Sequence, residues 1–536
     1  MTATPETPRP SLVASPIPMP ADMPDYPSII HALKVAVDMA PDRVAKICID
    51  ARVTYREYAR AVAGLGRYLM EHGGRGQRVA LVMYNSIEAS VASLGIIAGR
   101  AQACLVNPSF TEREMGQVLK EIDPVAIVCD PALKERIEAA ARGLDNPHIL
   151  ALGPGGMEID GWTNDEALEL GEDQFPEADE LGLMIFTGGT TGVPKGANHT
   201  NHMLVSFCRQ KTPTIGYEFD TEIMLSVAPM FHIFGHHYAN LLPVFLRGTL
   251  VMVPRYKPEV ILEQLEKHRC TVFSGGPAAI YQGIITRPEM ETTDFSSLRY
   301  SLSGGAPCPE PLIRGWKEKT GSIFLEGYGM TEGSPITNNP ADGVHKIGSA
   351  GVPVPLTEIC IVDIETGDTI VPWGESGEIC YRGPQVMTGY HNRPKETAEA
   401  LRGGWMHTGD IGYLDEDGYV IINDRKKDMI LVGGYNVYPR EIDQVLFSHP
   451  DIQDAIAVGV PEDFRGEVVK AFVVKKPGCS LTEEQVIAFC EQNLVRYKVP
   501  KMVEFMDHLP KTEANKVSRS LLRKLHLERQ KESGVA

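Results

Sequence analysis

The chain carries the stretch Met184-Ile185-Phe186-Thr187-Gly188-Gly189-Thr190-Thr191-Gly192-Val193-Pro194-Lys195-Gly196, in which an apolar run leads into a loop of glycines, threonines and one lysine. The apolar run from Leu183 to Phe186 predicts a short buried strand. Glycines let backbone N–H groups approach an anion closely, because they lack a Cβ and accept positive φ. The threonine hydroxyls can donate further hydrogen bonds, and Lys195 adds a positive charge. We therefore predict that this loop, called the phosphate loop below, binds phosphate groups.

The phosphate loop does not follow the P-loop pattern of many nucleotide-binding proteins. That pattern places the lysine between a glycine and a serine or threonine, whereas Pro194 precedes Lys195 and Gly196 follows it. Glycine, threonine and proline also favour exposed turns, so a solvent-exposed turn is the simpler alternative. The position directly after a buried strand, with several hydroxyls and a lysine, favours the anion site.

A second stretch, Phe324-Leu325-Glu326-Gly327-Tyr328-Gly329-Met330-Thr331-Glu332, brings an aromatic ring, a hydroxyl and a carboxylate to the end of another buried strand. Mg²⁺ takes few protein carboxylates and shares its other ligands with phosphates and water. Glu332 fits such a ligand, Thr331 can bind a phosphate oxygen, and Tyr328 can pack on a base. An exposed loop carboxylate is the ordinary explanation of this stretch alone. The phosphate loop in the same chain favours a site for magnesium and a nucleotide.

Two shorter motifs follow. Gly404-Trp405-Met406-His407-Thr408-Gly409-Asp410 places an aspartate at a tight glycine turn, where a carboxylate can accept hydrogen bonds from ribose hydroxyls, although aspartate is also a common turn former. Asp424-Arg425-Lys426-Lys427-Asp428 lies between two apolar strands, Tyr419–Ile422 and Met429–Val432. A charge run of this kind is usually a solvated turn.

Two further turns follow predicted strands. Ala228-Pro229-Met230-Phe231-His232-Ile233-Phe234-Gly235 comes after a strand at Met224–Val227. Open α/β sheets form their ligand pockets at such carboxyl ends, although a histidine satisfied within a core turn is an equal alternative for His232. Ser303-Gly304-Gly305-Ala306-Pro307 ends another strand with small residues, and a simple strand-to-helix turn is an equal alternative to a ligand-binding turn here.

Composition excludes several classes of function. The net charge of −18 argues against nucleic acid or an anionic membrane as a general partner. The ten cysteines are scattered without a CxxC pair, which is typical of a reduced cytosol rather than of a disulfide scaffold or a zinc site. The sequence contains no run that is apolar enough to predict an integral membrane segment. We therefore expect a cytoplasmic protein.

The length and the order of the predicted elements indicate the architecture. A chain of 536 residues exceeds what one core usually supports, so at least two domains are expected. Predicted buried strands at Val79–Met83, Ala103–Asn107 and Ala126–Cys129 alternate with helical segments. Such alternation predicts a parallel sheet with helices on both faces. Residues 1–28 are rich in Pro, Ala, Ser and Thr and predict a flexible arm.

The four motifs above and a fifth near the carboxyl terminus resemble those of the adenylate-forming superfamily: acyl- and aryl-CoA synthetases, adenylation domains of peptide synthetases and firefly luciferase. The fifth motif is Leu509-Pro510-Lys511-Thr512-Glu513-Ala514-Asn515-Lys516-Val517-Ser518-Arg519. The resemblance covers nearly the whole chain after the arm. By these motifs the chain is identified as a member of the acyl-CoA synthetase branch, similar to 4-coumarate-CoA ligases.

The resemblance implies an α/β fold. It consists of a large N-terminal domain of doubly wound sheets with a β-rich subdomain, and a small mobile α+β C-terminal domain. The N-terminal domain would span residues 29–424 and the hinge residues 424–428, with Lys427 at the pivot. Residues 429–536 would form a C-terminal lid that carries the catalytic lysine, Lys516.

The resemblance also assigns roles to individual residues. The implied catalytic residues are Lys516, Lys195, Thr331 and His232, and Glu332 is the implied magnesium ligand. The implied ATP- and AMP-binding residues are Thr187, Gly188, Gly189, Thr190, Thr191, Gly192, Lys195, Gly304, Gly305, Ala306, Pro307, Glu326, Gly327, Tyr328, Gly329, Thr331, Asp410, Arg425 and Lys516. The implied CoA-binding residues are Gly433, Gly434 and Tyr435. The acyl pocket would be lined by Phe231, His232, His236, Asn240, Gly305, Gly329, Ser334 and Pro335, with His236 and Asn240 one helical turn after His232.

The implied activity is that of an ATP-dependent acid–thiol ligase. In the first step the carboxylate of a small-molecule acid attacks the α-phosphorus of ATP, with Mg²⁺ as cofactor, and pyrophosphate leaves. In the second step the small domain rotates about Lys427, and the thiol of CoA displaces AMP from the acyl adenylate. We expect the protein to be a monomer or a homodimer.

Three functions compete within this resemblance. The favoured one is an acyl-CoA synthetase for a medium- or long-chain fatty acid. An aryl-CoA ligase of the coumarate or benzoate type fits the same pocket residues. The third is an adenylating enzyme that hands its acyl group to a separate carrier protein. A non-catalytic nucleotide-binding protein is the least favoured class, because the implied lysine, magnesium ligand and ribose acid are all present.

The sequence departs from the superfamily pattern at two places. Asn515 stands where the family usually has glycine before the catalytic lysine, and asparagine tolerates left-handed φ better than most residues. Ala197-Asn198-His199-Thr200-Asn201-His202 replaces the more usual Thr-His-Arg-Asn ending after the phosphate loop. We interpret this second departure as variation at the entry to a helix.

Overall fold

The computed structural model describes residues 9–187, 194–426, 428–432, 435–462, 466–510 and 517–532. These residues form two compact units. The larger unit comprises Ala14–Glu358 and Tyr381–Met406. The smaller unit comprises the described residues up to Val13, the segment Ile359–Cys380 and the chain from His407 onward.

The strands, numbered in chain order, are β1 Leu12–Ala14, β2 Val44–Cys48, β3 Ala51–Thr54, β4 Arg78–Val82, β5 Gln102–Leu105, β6 Ala126–Cys129, β7 His148–Ala151, β8 Leu181–Phe186, β9 Gly196–Thr200, β10 Ile223–Ser226, β11 Thr249–Met252, β12 Val272–Gly276, β13 Tyr300–Gly304, β14 Ile323–Met330, β15 Gly333–Asn338, β16 Val352–Pro353, β17 Glu358–Val362, β18 Gly377–Arg382, β19 Gly389–Tyr390, β20 Met406–Leu414, β21 Val420–Arg425, β22 Ile430–Val432, β23 Tyr435–Val437, β24 Ile452–Glu462, β25 Gly466–Lys475 and β26 Met502–Phe505.

The α-helices are α1 Ile29–Met39, α2 Tyr55–Glu71, α3 Ile87–Ala98, α4 Glu112–Ile122, α5 Lys134–Ala140, α6 Asp160–Thr163, α7 Asn201–Ile215, α8 Ile233–His236, α9 Leu242–Phe245, α10 Pro258–Lys267, α11 Ala278–Ile285, α12 Glu310–Thr320, α13 Pro394–Ala400, α14 Pro439–Phe447, α15 Glu483–Asn493 and α16 Arg519–Glu532. A π-helical segment, His237–Leu241, joins α8 to α9.

The larger unit contains two sheets. One has seven strands in the order β19-β9-β8-β5-β4-β6-β7, and the other has nine in the order β16-β15-β14-β13-β12-β10-β11-β2-β3. The central strands of both sheets run parallel, as the strand–helix alternation predicts. Antiparallel strands complete the edges that carry β9 and β15.

The sheets and helices of the larger unit form five layers. Successive side chains of a strand point to opposite faces of its sheet, so Leu81 and Met224 contribute to one central core while Val82 and Leu225 face outward. The central core also contains α1, α2 and α3. Helix α3 has buried residues on all sides, which explains its nearly unbroken apolar sequence. Outer cores pack α4 and α5 on one sheet and α10 to α12 on the other.

The smaller unit contains two sheets of its own. One has the order β1-β17-β18-β20-β21, and the other joins β23, β22, β25 and β24, with β26 paired to β25. Helices α14 and α15 cover the second sheet, where Ile442 and Val486 are fully buried. This unit thus has mixed α and β composition. The predicted fold class, α/β with a large N-terminal part and a smaller C-terminal part, is confirmed.

The predicted flexible arm is wrong for residues 11–14. Ser11 is fully buried, and its N–H donates to the carbonyl of Val371 at 2.9 Å while its own carbonyl accepts from Ile361 at 3.0 Å. Strand β1 then extends the sheet beside β17. Backbone hydrogen bonds to partners far along the sequence stabilise this strand, and composition alone cannot reveal such partners.

Among the described helices, none is both long and apolar enough to cross a membrane.

The larger unit buries three histidines, and this predicts an acid-sensitive fold. Burial lowers the pKa of His199 to about 4 and that of His236 to about 3, and it lowers the pKa of His237 well below 6.5. The unfolded chain therefore binds more protons below pH 6.5, so stability is full above that pH and falls as the pH decreases. At about pH 5.5 we expect a loss on the order of 1 kcal/mol per histidine and of a few kcal/mol in total.

Chemical denaturation between pH 7.5 and 5.5 measures this loss. His236→Asn should flatten the pH dependence of the unfolding free energy by about a third. His202→Gln is the matched control, because His202 is partly exposed, and it should leave the slope unchanged. An equal slope for wild type and His236→Asn would contradict the expectation.

Candidate active site

The two ends of the phosphate loop are held together by backbone pairing. The N–H of Thr187 donates to the carbonyl of Lys195 at 2.9 Å, and the N–H of Lys195 lies 3.4 Å from the Thr187 hydroxyl. Phe186 and Gly196 are the neighbouring pair in the antiparallel ladder of β8 and β9. Thr187 and Lys195 are therefore adjacent at the end of the β8–β9 ladder. The predicted phosphate-binding residues Gly188, Gly189, Thr190, Thr191 and Gly192 lie outside the described residues.

The side chain of Tyr390 connects Lys195 to Glu332, the predicted magnesium ligand. Its Nζ is 4.4 Å from the ring centroid of Tyr390, and the hydroxyl of Tyr390 donates to Oε1 of Glu332 at 2.6 Å. Tyr390 belongs to β19, which pairs with β9 directly after the phosphate loop. Glu332 lies between β14 and β15 in the other sheet and is 8% exposed. The structure thus brings together a cation and a carboxylate that the sequence separates by more than a hundred positions.

His199 forms a second link between the same two sheets. Its Nε2 donates to the carbonyl of Thr331 at 2.8 Å, and the side chain is almost completely buried. Burial keeps this imidazole neutral by lowering its pKa to about 4. The interpretation of Ala197–His199 as helix-entry variation is therefore wrong, because these residues belong to β9 and the helix begins only at Asn201, capped by Thr200.

The predicted nucleotide-binding residues lie at the ends of parallel strands in the nine-stranded sheet. Strands β12, β13 and β14 are neighbours, and Gly304 pairs with Gly327. Gly305 follows with φ of 82°, a left-handed conformation that favours glycine. Oε1 of Glu326 accepts the N–H of Cys308 at 3.0 Å, so this predicted nucleotide residue also closes the turn that contains Ala306 and Pro307. Tyr328 and Gly329 continue along β14 toward Thr331.

The turn around His232 follows β10 at the same edge. The side chain of His232 caps α8, where its Nδ1 accepts the N–H of Phe234 at 3.4 Å. Asn85, which the sequence did not single out, clamps this turn: its amide donates to the carbonyl of Ala228 at 3.0 Å and accepts the N–H of Met230 at 2.8 Å. An asparagine after a buried strand carries no sequence signal for such a contact, because its partners lie about 145 positions away.

The predicted acyl-pocket residues fall into two groups. Phe231, His236 and Asn240 line a small cavity against α3, together with Ser93, whose hydroxyl lies 2.7 Å from Nε2 of His236. Gly329, Ser334 and Pro335 belong instead to the hairpin of β14 and β15, where a Cβ at Gly329 would stand 2.7 Å from the Ser334 hydroxyl. His236 follows His232 by one helical turn, as expected, since its N–H donates to the His232 carbonyl at 2.8 Å, whereas the chain from His237 to Leu241, which contains Asn240, is π-helical.

The smaller unit carries the predicted ribose and hinge residues. Asp410 and Arg425 are paired across β20 and β21, with 3.6 Å between Oδ1 of Asp410 and Nε of Arg425. Gly409 has φ of 71°, a left-handed conformation that favours glycine, but it lies within β20, so the predicted tight turn before Asp410 is wrong. Arg425 remains largely exposed. A carboxylate and an exposed guanidinium on neighbouring strands can bind ribose hydroxyls and phosphate, respectively.

A buried charge cluster anchors the loop that precedes α16. Arg519 donates to Oδ2 of Asp443 at 2.5 Å and lies 3.6 Å from Asp424. Burial raises the pKa of Asp443 to about 7, although Arg519 acts in the opposite direction. The N–H of Ser518 donates to the carbonyl of Pro510 at 3.2 Å and so joins the two ends of segment 511–516.

Several predicted residues of the smaller unit lie outside the described residues: Lys427, Gly433, Gly434, Asn515 and Lys516. Tyr435, predicted to contact CoA, is 59% exposed, and its ring stacks on Tyr497 with 4.6 Å between centroids. An exposed aromatic pair of this kind offers a flat apolar surface.

The described residues suit a metal that takes most of its ligands from elsewhere. No group of three His, Cys, Asp or Glu side chains within the described ranges could hold a metal ion. Glu332 offers a carboxylate that Tyr390 connects to Lys195, and Mg²⁺ binds commonly through one or two carboxylates plus phosphates and water. The donor set therefore fits a magnesium ion that accompanies a nucleotide.

Comparisons with known proteins agree with this arrangement. The family model described as AMP-binding enzyme matches residues 33–391, and the model of the AMP-binding enzyme C-terminal domain matches residues 441–516. The chain is 36% identical to a long-chain-fatty-acid–CoA ligase of Escherichia coli, over 94% of this chain and 96% of that protein. It is 35% identical to feruloyl-CoA synthase of an Amycolatopsis species, over 91% and 96%.

A solved structure supports the same conclusion. The crystal structure of ATP-bound MatB from Rhodopseudomonas palustris superposes with a TM-score of 0.87 at 30% identity, covering 94% of this chain and 99% of that one. The family models together cover most of the chain, and the relatives align along nearly their whole length. The chain therefore belongs to the AMP-binding enzyme family and, within it, to the acyl-CoA synthetases, which are AMP-forming acid–thiol ligases.

Proposed function

We propose that this enzyme activates a medium- or long-chain fatty acid with ATP and transfers the acyl group to CoA. The observation that carries the ATP-dependent step is the proximity of Lys195, Thr331 and Glu332, which lie in turns of two different sheets that two hydrogen bonds join. The similarity to long-chain-fatty-acid–CoA ligases supports the fatty acid. Similarity to feruloyl-CoA synthase supports an aromatic acid as the second candidate.

In the first half-reaction the acid's carboxylate attacks the α-phosphorus of ATP. Negative charge spreads over the phosphate oxygens, so preorganised donors and cations lower the barrier. Lys195, Thr331 and the threonines of the phosphate loop are proposed to bind these oxygens, and Lys516 to stabilise the attacking and bridging oxygens. Glu332 is proposed to hold Mg²⁺, which supplies charge neutralisation when bound.

The smaller unit is proposed to supply the second half-reaction. Asp410 would accept the ribose hydroxyls of the nucleotide, and Arg425 would contact it from the neighbouring strand. Rotation about Lys427 would then exchange Lys516 for Gly433, Gly434 and Tyr435, which would bind the pantetheine arm of CoA. His232 is proposed to border the acid. We further propose a cytoplasmic enzyme that acts as a monomer or a homodimer.

Acid-dependent release of AMP, measured with and without CoA, tests the proposal. A panel of fatty, aromatic and short acids should give CoA-dependent turnover on fatty acids, with at least tenfold lower kcat/KM on ferulate and benzoate. The opposite order would favour the aryl-CoA ligase. Pyrophosphate exchange without CoA-dependent turnover would favour a carrier protein as acceptor, and silence on every acid would overturn the ligase assignment.

Lys516→Ala separates the two half-reactions. We expect adenylation to fall at least a hundredfold, because a cation at the attacking and bridging oxygens is lost, about 2.7 kcal/mol of transition-state stabilisation. Transfer of an acyl group from supplied acyl adenylate to CoA should remain within threefold of wild type. Exposed Lys524 provides the control variant Lys524→Ala, which should leave both steps unchanged. An equal loss in both half-reactions would contradict the role of Lys516.

His199 is expected to position Thr331 for the nucleotide. His199→Leu removes the donor of the half-buried Thr331 carbonyl, at a cost on the order of 1 kcal/mol. If Thr331 is displaced, kcat/KM for ATP should fall about tenfold while CoA transfer from supplied acyl adenylate changes little. His199→Gln should restore part of the activity, since its amide can donate to the same carbonyl. A lower thermal midpoint with unchanged kcat/KM for ATP would indicate a purely structural role.

A further inference from the structure

Lys211 is a buried cation near the predicted acid site that the proposed reaction does not use. It lies on α7 and is 4% exposed. Its Nζ donates to Oδ1 of Asn338 at 2.5 Å, and within the described part of the chain no carboxylate forms an ion pair with it. A lysine ammonium has three N–H donors, so one neutral acceptor leaves most of its hydrogen-bonding capacity and all of its charge unmatched.

The ammonium group faces a part of the sheet that lacks side chains. Gly327 pairs with Gly304 on one side and with Asn338 on the other. A Cβ at Gly327 would stand 3.3 Å from Nζ of Lys211 and would also meet Oδ1 of Asn338. Because residue 327 is a glycine, the amine of Lys211 and the amide of Asn338 can occupy the space over β14 that a side chain would otherwise fill.

Aromatic rings connect this point to the turn that carries His232. A Cβ at Gly304 would lie 3.4 Å from the ring of Phe234. The Phe234 ring packs on Tyr238 with 4.5 Å between centroids, and Nζ of Lys211 lies 5.9 Å from the Tyr238 ring. Phe234 is half-buried, and it follows His232 by two positions. Lys211 therefore belongs to the wall of the region where the acid's chain is proposed to lie.

The other fully buried lysine of the larger unit shows how a structural lysine differs. Nζ of Lys46 donates to the carbonyl of Ala239 at 2.7 Å, in the π-helical segment. Burial lowers the pKa of both lysines to about 7. Lys46 satisfies a backbone carbonyl of an irregular helix, whereas the hydrogen bond of Lys211 goes to the side chain of Asn338 beside the glycine of β14.

We infer that Lys211 and Asn338 form a subsite for a second carboxylate, at the far end of the acid substrate. A buried cation is costly unless it is paired, and a bound carboxylate would supply both the counter-charge and acceptors for the remaining N–H donors. The inference rests on the proposed function. Gly327 lies on β14 and Thr331 follows that strand in the turn to β15, four positions along the chain and at most about 14 Å away, so the second group belongs at the end of a medium-length chain. The preferred substrate class is thus a medium-chain dicarboxylic acid.

Matched acids test the subsite. Suberate and octanoate have the same number of carbons and differ in the second carboxylate. We expect wild-type enzyme to show at least tenfold higher kcat/KM on suberate than on octanoate. Lys211→Met, which keeps the length and removes the charge, should lower kcat/KM on suberate at least tenfold and leave octanoate unchanged or improved. Lys46→Met is the matched control and should keep the ratio of the two acids.

Asn338→Asp provides a variant that retains the lysine and its packing. The new carboxylate would pair with Lys211 and compete with the second carboxylate of the substrate, so the preference for suberate should again disappear. A wild-type preference for octanoate would overturn the inference, as would an equal loss on both acids in Lys211→Met together with an unchanged ratio in Asn338→Asp. Such results leave the ligase function intact, whereas absence of turnover on every acid would refute the proposed function itself.

Discussion

Two hydrogen bonds between the sheets of the larger unit set the geometry of the proposed adenylation site. One joins His199 to the carbonyl of Thr331, and the other joins Tyr390 to Glu332. Both donors belong to strands at the phosphate-loop edge of the seven-stranded sheet, and both acceptors belong to the nine-stranded sheet. The two most informative motifs of the sequence therefore lie on different sheets, and their relative position depends on these contacts. The donors, His199 and Tyr390, are buried, so loss of either acceptor would leave a buried polar group without this hydrogen bond, which is costly.

The strands and turns that depend on a local pattern of residues were predicted correctly from the sequence. The strand Ala126–Cys129 has the predicted bounds, and the turns at the ends of β10 and β13 follow strands as expected. A short apolar run between turn residues indicates a buried strand, because a run of this length is typical of a strand and is too short for most helices. In contrast, Asn85, His199 and Lys211 carry no local signal, since their roles depend on partners more than a hundred positions away. The strand β1 was missed for the same reason.

The unit boundary also reflects contacts rather than motifs. The charge run at residues 424–428 predicts a hinge, yet Ile359–Cys380 and the chain from His407 belong to the same compact unit as the residues after it. Asp424 explains part of this grouping, because it accepts the N–H of Arg440 at 2.8 Å and lies near Arg519. A pivot at Lys427 would therefore have to work beside a buried charge cluster, and the position of the hinge remains a proposal.

The residues proposed to act on ATP and the residues that line the substrate pocket determine different properties of the enzyme. The phosphate loop, Thr331 and Glu332 are proposed to act on atoms that every acid of the reaction has in common, so these roles carry no information about the acid's far end. The relatives illustrate this, since their names include both a fatty-acid and a feruloyl substrate at nearly equal identity. Discrimination must arise where the walls differ, and small apolar differences give only about 1–3 kcal/mol. A buried charge discriminates more strongly, because an acid without a matching group leaves it unpaired. In this chain Lys211 is the wall residue with that property, so its environment, rather than the motifs, decides which acid the enzyme prefers.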